Sequence, residues 1–136
     1  MTRAVLLLSA VILWPPPAAA EPPGVTGWAS AYAPGRMDEV IAYRMANDLW
    51  RTPPRFDWYQ GHGGIATNDC SQVGQMARVY APDGKSYEVL IADCGGAEEG
   101  GGASWMTENR IVAELDWRLW TRLTAAHGRP LEVTIR

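Results

Sequence analysis

The sequence has few of the residues from which metal sites and nucleic-acid surfaces are built. It contains two cysteines and two histidines in 136 residues, and His62 and His127 lie far apart in the chain. This set does not match the ligand spacing of a zinc site, so we expect neither a metal ion nor another cofactor. Lys85 is the sole lysine, and the arginines are scattered singly, with no run that could follow a phosphate backbone. Together with a formal net charge of -3, this argues against a nucleic-acid partner.

The sequence also lacks an apolar run long enough to cross a bilayer. Residues 4–14 are almost entirely apolar, but a spanning helix needs roughly 20 such residues. Arg3 precedes this run, and the small residues 18–20 end the stretch that follows it. A charged start, a short apolar centre and a small-residue cleavage site are typical of a secretory signal peptide. We therefore predict a signal peptide at residues 1–20 and export to the extracellular space or the cell envelope, with no membrane anchor after cleavage.

Residues 21–136 have the length of one domain, and we expect it to be a monomer. Apolar alternation and β-branched residues predict strands at 25–32, 64–67, 75–80, 87–92, 110–115 and 131–136. Helical spacing predicts helices over 36–50 and 117–126, with Asp116 as the cap of the second. Glycines and prolines predict loops at 51–64 and 95–104, so that 36–64 is an insert of helix and loop.

The clearest local signal is a β-hairpin formed by residues 75–80 and 87–92. In the turn between them, Pro82 presets φ at an early position and Asp83 can cap its own backbone. Gly84 can adopt the positive φ that closes a bulged turn. These residues predict an exposed hairpin tip.

The two cysteines lie on either side of this hairpin. If Tyr80 is placed opposite Tyr87, the second strand carries Cys94 to the end of the hairpin near Cys70. An exported chain enters an oxidising compartment, where cysteines are more often paired than free. We therefore predict a disulfide between Cys70 and Cys94.

Asp93 lies at the end of the second hairpin strand. Side chains alternate along a strand, so Ile91 and Asp93 should share one face, and Ala92 and Cys94 the other. With Cys94 turned inward, the Asp93 carboxylate would point outward beside the small residues 95–96. Such an acid is either a reactive group or the cap of a turn, and the residues alone leave both interpretations open.

The order and spacing of four segments carry a family resemblance. The segments are GWASAY at 27–32, VGQMARV at 73–79, VLIADCG at 89–95 and RIVAEL at 110–115. Together they resemble the rare lipoprotein A-like domains, with a looser similarity to barwin and expansins. The resemblance implies a mainly β fold, a six-stranded double-psi β-barrel with two peripheral helices, whose surface groove accepts an extended polysaccharide. It puts the family's catalytic aspartate at Asp93 and the family's usual histidine position at Asn68.

The resemblance implies a secreted protein that binds or acts on cell-wall polysaccharide such as peptidoglycan. In the enzyme hypothesis, Asp93 is the general acid of a lytic-transglycosylase-like reaction, and Asn68 or Asp69 positions it. Hydrolysis would need a second carboxylate roughly 5 to 9.5 Å away, for which Asp69, Glu98 and Glu99 are candidates.

Two hypotheses of other classes stay open. In the first, the protein is a non-catalytic module like barwin or an expansin, and aromatic side chains stack on the sugar rings; these are Tyr32, Trp58, Tyr59 and Trp105. In the second, the protein is a secreted structural or partner-binding barrel in which Asp93 only caps a turn.

Overall fold

The computed structural model describes residues 23–50, 63–95 and 105–136. The strands are β1 (Val25–Ala31), β2 (Gly64–Thr67), β3 (Met76–Tyr80), β4 (Ser86–Cys94), β5 (Ile111–Leu115) and β6 (Glu132–Ile135). The α-helices are α1 (Arg36–Ala46), α2 (Trp105–Glu108) and α3 (Trp117–His127), and a short 3-10 helix spans Cys70–Gln72. The predicted signal peptide lies outside the described residues, as do Trp58, Tyr59, Glu98 and Glu99.

The six strands close into a barrel in the order β1-β5-β2-β4-β3-β6. β1 is parallel to β5 and β2 is parallel to β4, whereas the other four pairings are antiparallel. Exchanging the first three strands with the last three reproduces every pairing, so the two halves of the chain occupy equivalent places. The predicted fold class, a mainly β six-stranded barrel with peripheral helices, is confirmed. The sequence did not signal α2, because four residues are too few to show a helical period.

The barrel interior is filled by side chains that alternate inward along the strands, together with one face of α3. Burial of each large aliphatic side chain stabilises the fold by about 1.5–3 kcal/mol. Asp116 caps α3 as predicted, since its side chain accepts a hydrogen bond from the backbone N of Arg118 at 2.9 Å. The buried residues of this interior cluster include Ala29, Ile65, Ala77, Val79, Val89, Ile91, Ala113, Leu115, Leu119, Trp120, Leu123, Leu131 and Val133.

A second, smaller cluster joins α1 to the outside of the barrel. Met37 and Ile41 on α1 pack against Leu90 and Ala92 on β4, and all four are buried. α1 therefore covers the outer face of β4.

α1 is shorter than predicted, because it ends at Ala46 and not near Trp50. The next residue, Asn47, has left the helical conformation with φ -112°, and its Nδ2 donates to the carbonyl of Tyr43 at 2.8 Å. Asp48 follows in the left-handed region with φ 52°. Asn and Asp compete with the helix through such local hydrogen bonds, and this ends α1 a turn early.

The predicted hairpin is present in β3 and β4, but its register differs by one residue. Tyr80 pairs with Ser86, so the predicted pairing of Tyr80 with Tyr87 is wrong. The reason is the turn at 81–85, in which the backbone N of Ala81 donates to the carbonyl of Lys85 at 2.9 Å. Five residues therefore lie between Tyr80 and Ser86. Gly84 has φ 83°, the positive value that the sequence predicted.

The predicted disulfide between Cys70 and Cys94 is confirmed, with the two Cα atoms 5.0 Å apart. It ties the 3-10 helix to the end of β4. Asp69 caps that helix by accepting a hydrogen bond from the backbone N of Ser71 at 2.9 Å. No helix among the described residues is long and apolar enough to cross a membrane.

Candidate functional site

A β-bulge decides which way Asp93 points. Ile65 lies opposite Ile91 and Ala66 lies opposite Asp93, which leaves Ala92 as an extra residue in β4. The prediction that Asp93 shares a face with Ile91 is wrong, because Ile91 belongs to the barrel interior whereas Asp93 reaches α1. A bulge adds an unpaired residue to one strand and re-aims the side chains beside it. Asp93 does lie on the outer face, as predicted, with 21% of its side chain exposed, but it does so because of the bulge.

Both oxygens of the Asp93 carboxylate accept hydrogen bonds from neighbouring side chains. Nη2 of Arg44 donates to Oδ1 at 2.6 Å, and the hydroxyl of Tyr32 donates to Oδ2 at 2.7 Å. Arg44 lies on α1, and its Nη1 also donates to the carbonyl of Leu49 at 3.1 Å. An ionised carboxylate, which accepts at both oxygens, fits this arrangement. The Arg44–Asp93 pair was not predicted from the sequence, because it depends on how α1 packs on β4.

Tyr32 connects Asp93 to the end of β1. Its backbone N donates to the carbonyl of Leu115 at 3.0 Å, which fixes the start of the side chain. Burial raises the pKa of Tyr32 far above its usual value, and the hydrogen bond to Asp93 and the negative charges of Asp93 and Glu114 raise it further. Tyr32 is thus a neutral donor at physiological pH. Its expected role in stacking on a sugar stays a prediction.

A second carboxylate, Glu114, lies on the same face of the barrel as Asp93. Glu114 on β5 pairs with Ala66 on β2, and Ala66 also pairs with Asp93 on β4. Residues opposite each other in neighbouring strands point to one face, and two strand spacings separate β4 from β5 by about 10 Å. Ser30 on β1 pairs with Glu114 from the other side, and its Oγ donates to Oε1 at 3.4 Å. The row across the four strands is therefore Asp93, Ala66, Glu114 and Ser30.

The two carboxyl groups have different surroundings. Burial raises the pKa of Glu114 above the ordinary value of 4.5, the hydrogen bond from Ser30 lowers it, and the charge of Asp93 raises it, with a net upward direction. Asp93 instead faces the guanidinium of Arg44. Glu114 therefore keeps its proton to a higher pH than a solvated glutamate does, while the Asp93 charge is balanced by a cation.

Sequence reasoning did not select Glu114. The alternation of β5 was readable, because Ala113 and Leu115 are interior and Glu114 lies between them. Its position relative to Asp93 was not readable, since it depends on β2 lying between β4 and β5 in the closed barrel.

The structure places the other two predicted catalytic residues past the end of β2. Nδ2 of Asn68 donates to the carbonyl of Ile111 at 3.1 Å, and Oδ1 of Asp69 accepts from the backbone N and the hydroxyl of Ser71. Asp93 pairs with Ala66, which comes before Thr67, the last residue of β2. A role for Asn68 or Asp69 beside Asp93 stays a prediction.

Two exposed tryptophans lie on α2 and on β1. Trp105, the predicted stacking residue, begins α2 and is 54% exposed. Trp28 on β1 was not selected from the sequence, yet it is 39% exposed and lies two residues before Ser30. Since Ala29 points into the barrel, Trp28 and Ser30 share the outer face. Trp28 therefore lies next to Ser30, at the β1 end of the row of Asp93, Ala66, Glu114 and Ser30.

Within residues 23–50, 63–95 and 105–136, no group of three or more His, Cys, Asp or Glu side chains could hold a metal ion. Comparison of the chain with protein-family models, with curated proteins and with solved structures found no significant match.

Proposed function

We propose that this protein is exported and acts on cell-wall polysaccharide, with Glu114 as the proton donor and Asp93 as its ionised partner. The observation that carries the proposal is the placement of these carboxyl groups on either side of Ala66, in opposite electrostatic surroundings. Cleavage of a glycosidic bond needs a group that still carries a proton near neutral pH. Two carboxyl groups whose environments separate their proton affinities are a common solution.

Glu114 is better suited than Asp93 to donate the proton. Both oxygens of Asp93 already accept hydrogen bonds, from the guanidinium of Arg44 and the phenol of Tyr32, so neither is oriented to donate a proton to a substrate. Glu114 is half-buried and lies near the negative charge of Asp93, and both conditions raise its pKa. The general acid first predicted at Asp93 is therefore assigned to Glu114 in this proposal.

Asp93 would act by its charge. The transition state of glycosidic cleavage carries positive charge on the sugar ring, which a fixed carboxylate stabilises. Because both Asp93 oxygens already accept hydrogen bonds, the group is poorly placed to attack the sugar as a nucleophile. This favours a lytic-transglycosylase-like reaction. Glu114 would protonate the leaving glycosidic oxygen while a hydroxyl of the sugar itself attacks the anomeric carbon, and the resulting Glu114 carboxylate would take up the proton of that hydroxyl.

Several features support a polysaccharide as substrate. The exposed Trp28 lies beside Ser30 and offers an apolar ring face on which a sugar could stack. Four segments of the sequence resemble rare lipoprotein A-like domains, whose groove accepts extended glycans. The predicted signal peptide and the disulfide between Cys70 and Cys94 fit export to an oxidising compartment.

The alternative is a polysaccharide-binding module without catalysis, as in barwin or expansins. The specific observation in its favour is that α1 covers β4 and that Arg44 on α1 occupies one Asp93 oxygen. In this case the Arg44–Asp93 pair only anchors the helix.

The test compares the wild type with Glu114→Gln and Asp93→Asn on insoluble peptidoglycan. Glu108→Gln is the matched control, since Glu108 on α2 is exposed. We measure pelleting with the glycan and the masses of released fragments. The proposal expects fragments lighter by one water than hydrolysis products, a loss of release of at least about 100-fold in Glu114→Gln, and unchanged pelleting. Asp93→Asn should also lose release.

Other outcomes separate the alternatives. Pelleting without release by the wild type would support the binding module. Full activity of Glu114→Gln together with an inactive Asp93→Asn would show that Asp93, and not Glu114, is the proton donor. No pelleting and no release with any glycan would reject both hypotheses.

A further inference from the structure

A cavity of about 400 Å³ opens at one end of the barrel, where β1 and β5 begin and β2 ends. Its lining includes Val25, Val112 and Thr67 at those strand ends. Asn68 and Asp69 contribute to it, but none of the side chains in the row of Asp93, Ala66, Glu114 and Ser30 does, so the cavity is separate from that row.

Small and branched side chains leave this space unfilled. Ala77 on β3 points into the barrel with only a methyl group, and around it lie Ile91, Val112 and Ile135. One water molecule occupies roughly 30 Å³ in the liquid, so the cavity has room for about a dozen non-hydrogen atoms. This lies at the lower end of the sizes of small-molecule pockets. The floor is therefore apolar and large enough for a short aliphatic chain.

The polar groups of the cavity are concentrated on one side. Asn68, Gln72 and Gln75 come from the segment between β2 and β3. A side-chain amide has two donor and two acceptor positions, of which Asn68 uses a donor on the carbonyl of Ile111 and Gln72 an acceptor on the hydroxyl of Thr67. The disulfide between Cys70 and Cys94 ties this segment to β4.

Backbone hydrogen bonds hold the same segment against β4. Gly74 N donates to the carbonyl of Ile91 at 2.8 Å, and Ile91 N donates to the carbonyl of Gln75 at 2.9 Å. The polar rim is thus fixed before any ligand arrives, which reduces the entropic cost of binding.

We propose that this cavity binds a small, uncharged aliphatic molecule with one hydrogen-bonding head group. The tail would lie against Ala77 and Ile91, and the head would reach the amide rim. None of the described lining residues is aromatic, so the cavity offers no ring face for a sugar. Asp69 and Arg136 both contribute to the lining, and their opposite charges give no net preference for an ion. The proposal is independent of the glycan hypothesis.

The test is a titration of isotope-labelled protein followed by two-dimensional amide NMR. The probes are hexan-1-ol and hexanamide, with hexanoate and N-acetylglucosamine as comparisons. We expect saturable shifts at the amides of Ala77, Ile91 and Gln75 with the two neutral aliphatic probes, with Kd on the order of millimolar. The two comparison molecules should bind at least about tenfold more weakly.

Two alanine variants locate the binding. Ala77→Val fills the cavity and should weaken hexanamide binding at least tenfold. Ala81→Val is the matched control, since Ala81 is buried to a similar extent (6% exposed, against 8% for Ala77) but does not line the cavity. If Ala77→Val fails to fold, Gln72→Ala and Gln75→Ala at the rim take its place, and each should weaken hexanamide binding.

Three results would overturn the proposal. They are no saturable shift with either neutral probe, equal binding of hexanoate and hexanamide, and tighter binding of N-acetylglucosamine than of hexan-1-ol. Unchanged hexanamide binding in Ala77→Val, or in both rim variants, would also overturn it.

Discussion

The guanidinium of Arg44 on α1 donates to the Asp93 carboxylate on β4 at 2.6 Å, although the two residues are 49 positions apart in the chain. The Arg44 side chain is 8% exposed and that of Asp93 is 21% exposed. The pair is thus shielded from water and lies beside the apolar contacts of Met37 and Ile41. The ion pair is one of the contacts that hold α1 on the barrel, together with this apolar cluster and the pair of Asp38 with Arg118.

Arg44→Met should lower the free energy of unfolding by about 3 kcal/mol, because it leaves the Asp93 charge shielded and without its cation. Urea denaturation measures the loss. Arg78→Met is the control, since Arg78 pairs with Glu88 at the surface and exposed pairs contribute about 1 kcal/mol or less. The double variant Arg44→Met/Asp93→Asn should lose less than the sum of its single losses. Equal losses for Arg44→Met and Arg78→Met would show that the Asp93 pair is only a surface contact.

Tyr32→Phe should cost about 1–2 kcal/mol through the lost hydrogen bond to Asp93. Because folding raises the pKa of Tyr32 above its ordinary value of 10.0, the stability that Tyr32 contributes is complete below that pH and is lost as the pH rises beyond it. The stability advantage of the wild type over Tyr32→Phe should therefore shrink above about pH 10. Tyr43→Phe is the control, since Tyr43 is 62% exposed. A wild-type advantage that is the same at pH 9 and pH 11 would contradict this assignment.

Glu114→Gln should change how stability depends on pH. The folded pKa of Glu114 is raised, so its contribution to stability is complete below the ordinary value of 4.5 and is lost as the pH rises through the folded pKa. Gln cannot ionise, and the variant should therefore gain stability relative to the wild type as the pH rises from about 4 to 7. Thermal melts across this range measure the difference, with Glu108→Gln as the control. A difference that stays flat, or that falls with pH, would mean that Glu114 is an ordinary surface acid.

Two glycines with the same backbone conformation separate the effect of φ from the effect of space. Gly84 and Gly63 both have φ 83°. A Cβ at Gly84 would have nothing within 4 Å, whereas a Cβ at Gly63 would lie 2.8 Å from the side chain of Asp116. Gly84→Ala should therefore cost about 1 kcal/mol through backbone strain alone, and Gly63→Ala should cost more. Melting curves are sufficient, and an equal loss in both variants would mean that Asp116 yields without cost.

Replacing both cysteines, in Cys70→Ser/Cys94→Ser, should destabilise the protein by about 3 kcal/mol, since the bridge closes a loop of 24 residues in the unfolded chain. Urea denaturation of the variant and of the reduced wild type should give similar midpoints. Unchanged stability after reduction would mean that the chain between the cysteines stays ordered in the unfolded state.

Local signals in the sequence determined the elements whose ends are chemically marked. The hairpin tip follows from Gly84, the start of α3 follows from the Asp116 cap, and the disulfide follows from the two cysteines on either side of the hairpin. In each case the responsible residues lie within or beside the element that they specify. Where such local signals were weak, the predicted positions were wrong by a few residues. This happened at the end of α1 and in the strand register at Tyr80.

The tertiary structure alone decided which side chains surround Asp93 and where the cavity lies. Asp93 and Glu114 become neighbours because β2 lies between their strands, and a bulge at Ala92 turns Asp93 outward. The Arg44 pair depends on how α1 docks on β4. These features depend on strand order, on a one-residue shift in pairing and on helix docking. All three are set by the summed burial of the whole core, and the residues of a single segment do not encode them.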